Sequence, residues 1–492
     1  MRSLKSWFFG SLCLLFPLCS SAQYMYKEKV ADTRVTSFCY NCGTPKAQYD
    51  PEMFERIAHA VERRYNLAAS WGSISYQILV DTAGNGQVLS YNDASHSQLS
   101  RDIIGYLNVF RWKPAKVNDK SVFSSVDVTF TIGSGMITGK VSDASLDDFA
   151  DNVIANHPLI INKRYFYQNQ SLGRYQLTVW NKNNSLLPDN VSQCNAVDRT
   201  GVLWYATGHG IITFAGGTFR NVPQVGTPGI TSLAIDNTDV KWMYSGNAVY
   251  RNAGSTWQKY DLPKMGFTSV NNITATKTGE VIFSTEKGLL IIKNGQFTLV
   301  NKQRFGKLPT NQIEYAYYDK RGRLWVGTNL GSVLIDKSRK VTVFNGMASP
   351  LNGTCITAAT EDPAGNLYFA LRSIRPYSKD ADGNTLSESD AEGIAVYTAN
   401  GKWLHYNDKN SGLPSNQINS LLYDRFEKVL WVGTHRSGLA RYNPHNYTWE
   451  LYHNENSNVP DYDIYQLSQD GNGSIYASTY KGLLVVSRRI GG

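Results

Sequence analysis

The sequence predicts a mainly β fold in which one motif recurs seven times. In this motif an Asp or other polar residue is followed six residues later by an aromatic or large apolar residue, and a small hydroxyl residue comes three residues after that. Successive copies begin 38, 40, 43, 43, 62 and 46 residues apart. Aromatic residues make up 12% of the chain and charged residues only 18%, a mixture that suits half-buried β surfaces. Together these observations predict a seven-bladed β-propeller.

Four of the seven copies contain an Asp-x-x-Gly turn, and a strand with an aromatic or large apolar residue follows in every copy. The seven copies read DRTGVLWYAT from Asp198, DNTDVKWMYS from Asp236, TKTGEVIFST from Thr276, DKRGRLWVGT from Asp319, DPAGNLYFAL from Asp362, DRFEKVLWVGT from Asp424 and DGNGSIYAST from Asp470. The third copy has Ile282 in place of the aromatic residue, the fifth has Leu371 in place of the hydroxyl residue, and the sixth has one residue extra. Asp and Gly are the residues that such tight turns favour.

Each copy contains four short segments that alternate apolar and polar residues, as strands do. One strand leads into the Asp, the aromatic strand follows the turn, and two more strands complete the blade. Four antiparallel strands in about forty residues are typical of one propeller blade.

Closure of the ring can also be predicted. The last copy ends at SRRIGG without a fourth strand, while YQLTVWNKNNSLLP at residues 175–188 aligns without gaps on TWELYHNENSNVP and KWLHYNDKNSGLP. We therefore expect this N-terminal segment to supply the outer strand of the last blade. Closure in this way removes the free strand edges that open sheets must otherwise protect.

The repeated motif LPxN…DxxGxLWVGT…GLxxY resembles the two-component-regulator propeller repeat over about 175–489. In Gram-negative Bacteroidetes this repeat forms periplasmic sensor domains, which continue into a membrane helix, a kinase and a receiver. The resemblance implies a binding or sensing role in the cell envelope. Since the chain stops at Gly492, we expect that it does not transduce a signal by itself.

The N-terminus, MRSLKSWFFGSLCLLFPLCSSAQ, has a basic start, a short apolar run and small residues before Gln23. This pattern predicts a signal peptide over 1–22 and export to the periplasm or the outer-membrane periphery. Lipoprotein processing at Cys19 is a second interpretation. No later stretch predicts a membrane span, so we expect none after signal removal.

Four cysteines follow the signal segment. Cys39 and Cys42 have a spacing that suits a metal site, a redox pair or a local disulfide, and an oxidising compartment favours the disulfide. One pair is too few for a structural zinc site, and we expect no metal and no cofactor. Cys194 and Cys355 lie in apolar strand patterns and are expected in the core.

Residues 50–133 predict a small α+β domain. DPEMFERIAHAVERRYN and SQLSRDIIGYLNVFRWKPA have helical periodicity, and SISYQILVDTAGNGQVLSYN predicts a hairpin. Over about 70–133 the sequence resembles the C-terminal domain of TonB-type energy transducers, in the segments VDTAGNGQV, RWKPAKVNDKSV and VDVTFTI. The resemblance implies docking to an outer-membrane TonB-dependent transporter by strand addition, with a simple stabilising cap as the alternative.

The predicted boundaries are therefore a signal peptide at 1–22, an N-terminal segment with the Cys pair at 23–49, the α+β domain at 50–133, a linker at 134–174 and the propeller at 175–492.

Candidate ligand-binding residues come from the loop after each aromatic strand, which we expect on the same face of the ring as the loop that leads into each new blade. They are His209, Asn247, Lys287, Asn329, Arg372, His435, Arg436, Tyr480 and Lys481. Within these loops only Glu286 opposes the cations, which predicts a basic rim and an anionic ligand such as an acidic polysaccharide. Ordinary turn polarity in a basic protein would give the same composition.

The chain contains no G-x-S-x-G, H-E-x-x-H or phosphate-loop motif, so we expect a non-catalytic binding or scaffold protein. The alternative is a propeller lyase or glycan-active enzyme with its site at the channel mouth, for which His209 and His435 are candidates. A net charge of +9 over 492 residues is a mild basic bias, and we expect no nucleic acid partner. A separate sensor or a transporter is the expected protein partner.

Overall fold

The computed structural model describes residues 24–31, 35, 38–93, 95, 97–142, 158–167, 172–222, 229–254, 256–276, 278–304, 306–344, 349–374 and 391–489. They belong to two compact units, one ending at Phe166 and the other beginning at Tyr167. The predicted signal peptide and the bulk of the insertion after Arg372, residues 375–390, lie outside the described residues. None of the helices within these ranges is long and apolar enough to cross a membrane.

The first unit is a twisted sheet with two main helices. Its elements are β1 Glu28–Lys29, β2 Cys39–Tyr40, β3 Gln48–Tyr49, α1 Met53–Glu62, β4 Ser70–Val80, β5 Gly86–Asn92, α2 Gln98–Leu107, β6 Trp112–Lys113, β7 Lys116–Val117, β8 Lys120–Ser121, β9 Ser124–Gly133, β10 Met136–Val141, β11 Ile160–Ile161 and α3 Lys163–Phe166, with a 3₁₀ turn at Leu67–Ala69. The main sheet has the strand order β1-β5-β4-β9-β10, with β2 added to β9 and β11 to β4. The predicted linker range thus begins with a paired strand, β10.

Helical periodicity places apolar side chains of both helices in this core. Ile57 and Val61 of α1 and Ile103 and Leu107 of α2 are buried, at the four-residue spacing that keeps side chains on one helix face. Phe130 of β9 is also buried, and it alternates with polar neighbours along the strand. The two faces of the sheet therefore differ, since the helix side is apolar and the other side carries buried polar groups.

The second unit is a ring of seven four-stranded antiparallel sheets. In chain order its strands are β12 Tyr175–Trp180; β13–β16 Asn195–Val197, Leu203–Thr207, Gly210–Ala215 and Thr218–Asn221; β17–β20 Ile230–Ile235, Lys241–Ser245, Ala248–Asn252 and Trp257–Asp261; β21–β24 Val270–Ala275, Val281–Thr285, Gly288–Lys293 and Gln296–Val300; β25–β28 Ile313–Tyr318, Leu324–Thr328, Gly331–Ile335 and Val341–Val343; β29–β32 Thr354–Glu361, Leu367–Ser373, Ala391–Tyr397 and Trp403–Tyr406; β33–β36 Ile418–Asp424, Val429–Thr434, Leu439–Asn443 and Thr448–Tyr452; and β37–β39 Gln466–Gln469, Ile475–Thr479 and Gly482–Arg488. Short 3₁₀ turns lie at Leu172–Arg174 and Pro263–Met265.

Each innermost strand, β13, β17, β21, β25, β29, β33 and β37, contacts the innermost strands of the blades on either side, which closes the ring. The outer strand of blade 7 is β12, which pairs antiparallel with β39 from Tyr175 opposite Arg488 to Trp180 opposite Leu483. This confirms the predicted seven-bladed propeller and its closure by an N-terminal strand. Gly482 allows this contact, because a Cβ atom there would lie 2.3 Å from the carbonyl oxygen of Trp180.

The loop that follows β12 repeats the structure of two later loops, as the ungapped alignment suggests. Asn184 accepts a hydrogen bond from the amide of Asn181 and donates one to the carbonyl of Val179. Asn410 makes the same two bonds after β32, with Asn407 and His405. The loop after β36 repeats both bonds through Asn456. The segment at 175–188 is therefore structurally equivalent to the outer strand and exit loop of another blade.

The hydroxyl residue that ends each aromatic strand fixes the next hairpin. In five blades its side chain donates to the carbonyl oxygen of the glycine that begins or directly precedes the third strand, in the pairs Thr207–Gly210, Thr285–Gly288, Thr328–Gly331, Thr434–Gly438 and Thr479–Gly482. The fifth copy has Leu371 at this position, and there the second and third strands are separated by the insertion. The recurring spacing between the hydroxyl residue and the glycine therefore reflects a hydrogen bond that closes the hairpin, which we call the hairpin lock.

Candidate functional site

Two sets of loops lie on one face of the ring, which we call the hairpin face. They are the turns between the second and third strands of each blade and the segments that lead into the next inner strand. Direct contacts join them: the amide of His435 donates to the carbonyl of Gln417, and the amide of Ile464 donates to the carbonyl of Thr434. Eight of the nine sequence-predicted ligand-binding residues belong to the first set, whereas Arg372 lies within β30, one residue before the end of that strand.

The densest group of these residues surrounds two stacked tyrosines at blades 6 and 7. We call it the tyrosine cluster, and it comprises Gln193, His435, Arg436, Asp461, Asp463, Tyr465, Tyr480 and Lys481. The rings of Tyr465 and Tyr480 are stacked with centroids 4.4 Å apart. Tyr480 is 40% exposed, so one side of this aromatic pair faces solvent.

Hydrogen bonds hold the Tyr480 ring in place from two directions. Its hydroxyl accepts a 2.7 Å bond from Nε2 of Gln193, and its amide donates to Oδ2 of Asp461 at 3.3 Å. Asp461 is buried and also lies 3.7 Å from Nζ of Lys481. Burial raises the pKa of Tyr465 above its usual value, and the hydrogen bond with Tyr480 raises it further. The pair is therefore a neutral aromatic surface with a fixed orientation.

Asp463 organises the neighbouring hairpin. Its Oδ1 lies 2.5 Å from Nδ1 of His435 and accepts a 2.8 Å bond from the amide of Arg436. Arg436 has a positive φ of 60°, and its side chain is exposed. Among the described residues no carboxylate forms an ion pair with the Arg436 guanidinium. This guanidinium is consequently available to an anionic group of a ligand.

Three other predicted residues on the hairpin face form contacts with groups outside the tyrosine cluster. Nδ1 of His209 lies 2.5 Å from Oδ2 of Asp189, and the Arg372 guanidinium lies 3.5 Å from Glu314. Lys287 donates to the carbonyl of Gly266. These three side chains are therefore spread over blades 1, 3 and 5 and do not join the tyrosine cluster.

The two remaining predicted residues are amides. Asn329 bonds through both its backbone and its side chain to Gln312. Asn247 is exposed, and its carbonyl accepts a 3.0 Å bond from the amide of Leu262. Asn329 thus joins its hairpin to the segment that leads into its own blade, and Asn247 joins its hairpin to the segment that leads into the next blade.

The sequence did not predict the role of four carboxylates, of which Asp189, Asp461 and Asp463 lie on the incoming segments and Glu314 lies in the inner strand β25. Asp189, Asp461, Asp463 and Glu314 each pair with one of the predicted rim cations or histidines. Glu286 accepts bonds from the amides of Thr268 and Ser269 instead of pairing with Lys287. The rim is thus largely charge-compensated, although the hairpin residues alone look basic. The sequence did contain one indication of these carboxylates, the acidic segment PDYDIY at 460–465.

The described residues contain no group of three or more His, Cys, Asp or Glu side chains placed to hold a metal ion. Cys194 and Cys355 are buried in the propeller core, where burial raises the pKa of each thiol to about 12.

Comparison with known proteins gives one family match, to the two component regulator propeller at residues 307–330. These residues lie within one repeat of the ring. No curated protein matches the chain significantly in sequence.

Among solved structures, a streptogramin B lyase is similar with a TM-score of 0.50 at 14% identity, covering 65% of this chain and 100% of the lyase. The extracellular domain assigned to a one-component system of B. thetaiotaomicron has a TM-score of 0.49 at 18% identity, and one assigned to a hybrid two-component system of the same organism has 0.49 at 18%. These two alignments cover 63% and 64% of this chain but only 39% and 42% of the matched chains. At such identities the lyase similarity supports the propeller fold alone.

Proposed function

We propose that this chain is an exported, non-catalytic binding protein of the cell envelope whose ligand occupies the tyrosine cluster on the hairpin face. The observation that carries the proposal is the half-exposed Tyr480 ring, stacked on Tyr465 and fixed by Gln193 and Asp461. An aromatic surface held rigidly among polar groups is suited to a ligand with both apolar faces and hydrogen-bonding groups. Sugar rings have this character, so we propose a glycan.

The charge of the cluster favours an acidic glycan over a neutral one. Lys481 is compensated by Asp461, and His435 by Asp463, whereas the described carboxylates leave the Arg436 guanidinium without an ion pair. A guanidinium binds a carboxylate or sulfate group through two parallel hydrogen bonds. Arg436 therefore supplies the preference for an anionic group, and the tyrosine pair supplies the stacking surface.

Isothermal titration of the protein with an oligogalacturonide and with a neutral galacto-oligosaccharide of equal length tests this proposal. We expect Tyr480→Ala to weaken oligogalacturonide binding by about 1–3 kcal/mol, the range of a lost aromatic contact. Arg436→Glu should weaken binding of the acidic sugar and leave that of the neutral sugar nearly unchanged.

The matched control is Tyr447→Ala, since Tyr447 is 54% exposed and lies in the turn between the third and outer strands of blade 6, on the opposite face. Equal losses from Tyr480→Ala and Tyr447→Ala would contradict the assignment of the site. Absence of binding to either sugar by the wild type would contradict the glycan class.

Export and docking form the second part of the proposal. The basic start and the apolar run within residues 1–22 support export. The sequence segments at 70–133 that resemble a TonB C-terminal domain support docking to an outer-membrane TonB-dependent transporter. Within the part of the chain that the structure describes, β10 pairs with β9 alone, and its other edge offers backbone groups for strand addition. A separate sensor protein is the alternative partner.

Crosslinking in the source cell envelope distinguishes these partners. A full-length bait with Val141→Pro in β10 should lose a transporter that the wild-type bait captures, because the amide of Val141 faces away from β9 and proline removes this donor from the edge. Equal capture by both baits would exclude docking through this edge.

A second candidate function is a lyase or glycan-active enzyme. The observation that favours it is the pairing of His435 with Asp463 and of His209 with Asp189, each at 2.5 Å. A carboxylate that accepts from Nδ1 leaves Nε2 able to act as a base. If this candidate is correct, His435→Gln retains ligand binding but abolishes formation of a cleaved product in the same assay.

A further inference from the structure

The Cys39–Cys42 pair lies in the first unit between two anchored segments. Cys39 belongs to β2, which pairs parallel with β9 opposite Ser124, and its Sγ lies 3.5 Å from the carbonyl oxygen of Phe123. Beyond Cys42, the amide of Thr44 donates to the carbonyl of Lys116 at 2.8 Å. The sulfurs of Cys39 and Cys42 are joined, with the Cα atoms 5.7 Å apart. The pair is thus held by backbone bonds on both sides.

Both cysteines line a cavity of about 690 Å³ that opens to solvent. Its walls are mainly apolar, from Phe38, Val117, Val122 and Phe123. Each of the two cysteines is only partly buried, in contrast to the fully buried free cysteines of the propeller. The cavity therefore connects both cysteines of the pair to solvent.

Charge in the cavity also favours exchange chemistry. Among the described residues that line it, Lys116 is the charged one, and no carboxylate is present. A nearby ammonium group stabilises a thiolate, which makes a cysteine both a better leaving group and more reactive. A disulfide that served only as a local staple would need neither an accessible cavity nor a cation.

We propose that Cys39–Cys42 is an exchange site that oxidises a dithiol in an apolar segment of a partner polypeptide bound in this cavity. A thiolate of the partner attacks one sulfur of the pair, which forms a mixed disulfide and releases the other sulfur as a thiolate. The second partner cysteine then attacks the mixed disulfide. The partner gains a disulfide and loses two electrons and two protons, and Cys39 and Cys42 take up both as two thiols.

The apolar walls define the kind of segment that fits. Phe38 and Phe123 offer aromatic surface, and Val117 is 37% exposed at the rim. Burial of apolar side chains against such walls is favourable, whereas a cationic side chain placed there loses hydration and meets the like charge of Lys116. We therefore expect cysteines flanked by leucine or phenylalanine to react faster than cysteines flanked by lysine.

The test uses the full exported chain, purified without reductant, and a synthetic peptide with two cysteines flanked by leucine and phenylalanine. Under argon, loss of peptide thiols and gain of protein thiols are followed by alkylation and mass spectrometry. We expect the wild type to oxidise one equivalent of peptide, and Val117→Glu to slow the reaction about tenfold because it places a charge in the cavity wall.

Val109→Glu is the matched control, since Val109 is 75% exposed in the same unit and does not line the cavity. It should react like the wild type, and the Cys39→Ser, Cys42→Ser double variant should leave the peptide reduced. The proposal is overturned if the peptide stays reduced while the wild-type disulfide persists, which would identify a closed staple. It is also overturned if Val117→Glu and Val109→Glu react at equal rates, because exchange would then not use the cavity.

Discussion

The carboxylate of Asp319 accepts a 3.0 Å hydrogen bond from the indole Nε1 of Trp325, six residues further along the chain. The same bond joins Asp198 to Trp204 at 2.9 Å and Asp236 to Trp242 at 3.0 Å. The sixth copy has one extra residue between the two partners, and Nε1 of Trp431 still donates to Oδ2 of Asp424 at 3.4 Å. In the third copy Thr276 and Ile282 replace the two partners, so the donor and the acceptor are absent together.

The repeated spacing therefore has a local physical cause. One carboxylate oxygen of Asp319 accepts from the amide of Arg323, which shapes the turn, while the other accepts from the indole and from Arg323 Nε. We predict that Asp319→Ala lowers the free energy of unfolding by about 2 kcal/mol, because it leaves the buried indole donor without its partner. Urea denaturation followed by tryptophan fluorescence measures the change.

Asp336→Ala is the control for this prediction. Asp336 makes an equivalent turn with Ser338 and Lys340 but is half-buried, and within the described ranges no indole donates to it. A loss in Asp336→Ala as large as that in Asp319→Ala would show that the turn, and not the indole bond, accounts for the effect.

The outer strand of blade 7 is a second point of sensitivity. Leu177 of β12 packs against a core that includes Val486 and Trp431. We predict that Leu177→Asp destabilises the ring by about 1–3 kcal/mol, because a carboxylate enters an apolar contact. Exposure of the β39 edge should also promote association, which light scattering during mild heating detects.

Gln176→Asp introduces the same charge one position earlier, where the side chain is exposed. This control should behave like the wild type, because alternate residues of a strand point to opposite faces. If both variants lose stability equally, the charge itself and not its burial is responsible.

A pH effect is expected from the polar side of the sheet in the first unit. Asp127 of β9 is 5% exposed and accepts a hydrogen bond from the Tyr26 hydroxyl. Burial raises the pKa of Asp127 from 3.8 to about 6, although the hydrogen bonds from Tyr26 and Thr129 act in the opposite direction. The folded state therefore binds a proton more readily than the unfolded state.

Because the folded form holds this proton up to a higher pH, the contribution of Asp127 to stability is greatest below pH 3.8 and is lost as the pH rises to about 6. We predict a decrease of roughly 3 kcal/mol in local stability across this interval. Hydrogen exchange of peptides from β4 and β9 between pH 4 and pH 7, corrected for intrinsic rates, measures it. In Asp127→Asn the decrease should be absent, and an unchanged pH profile in this variant would contradict the assignment to Asp127.

Contacts between blades give a further prediction. Nζ of Lys320 donates a 2.6 Å bond to the carbonyl of Asp362 in the next blade, and its amide donates to Glu361 at 2.8 Å. Lys320→Met keeps the aliphatic stem but removes the donor, and we expect a loss of about 1 kcal/mol in thermal or urea unfolding. Lys337→Met, at an exposed position in the same blade, is the control and should be neutral.

Much of the fold was predictable because its signals are local. The Asp319–Trp325 bond and the Thr328–Gly331 hairpin lock each join residues within one β-hairpin. A local bond requires the same residue types at the same spacing in every blade, so the repeat is visible in the sequence. The alignment of 175–188 with later loops has the same basis, because Asn184 and Asn410 make equivalent local bonds.

The candidate site was predictable only in part. The sequence placed His435, Arg436, Tyr480 and Lys481 on hairpin turns, which follows from their position after the hydroxyl residue of each repeat. It did not reveal the stacking of Tyr480 on Tyr465, because that contact depends on how a hairpin packs against the segment that leads into its blade.

By itself, then, the sequence determined the number of blades, the strand that closes the ring and the loops that form the hairpin face. Only the tertiary structure decided the charge of that face, since Asp189, Asp461 and Asp463 reach the predicted histidines and lysine from separate loops. Repeats encode contacts within a blade, which recur with the sequence. Ion pairs between different loops depend on the packing of the ring, which no local pattern specifies.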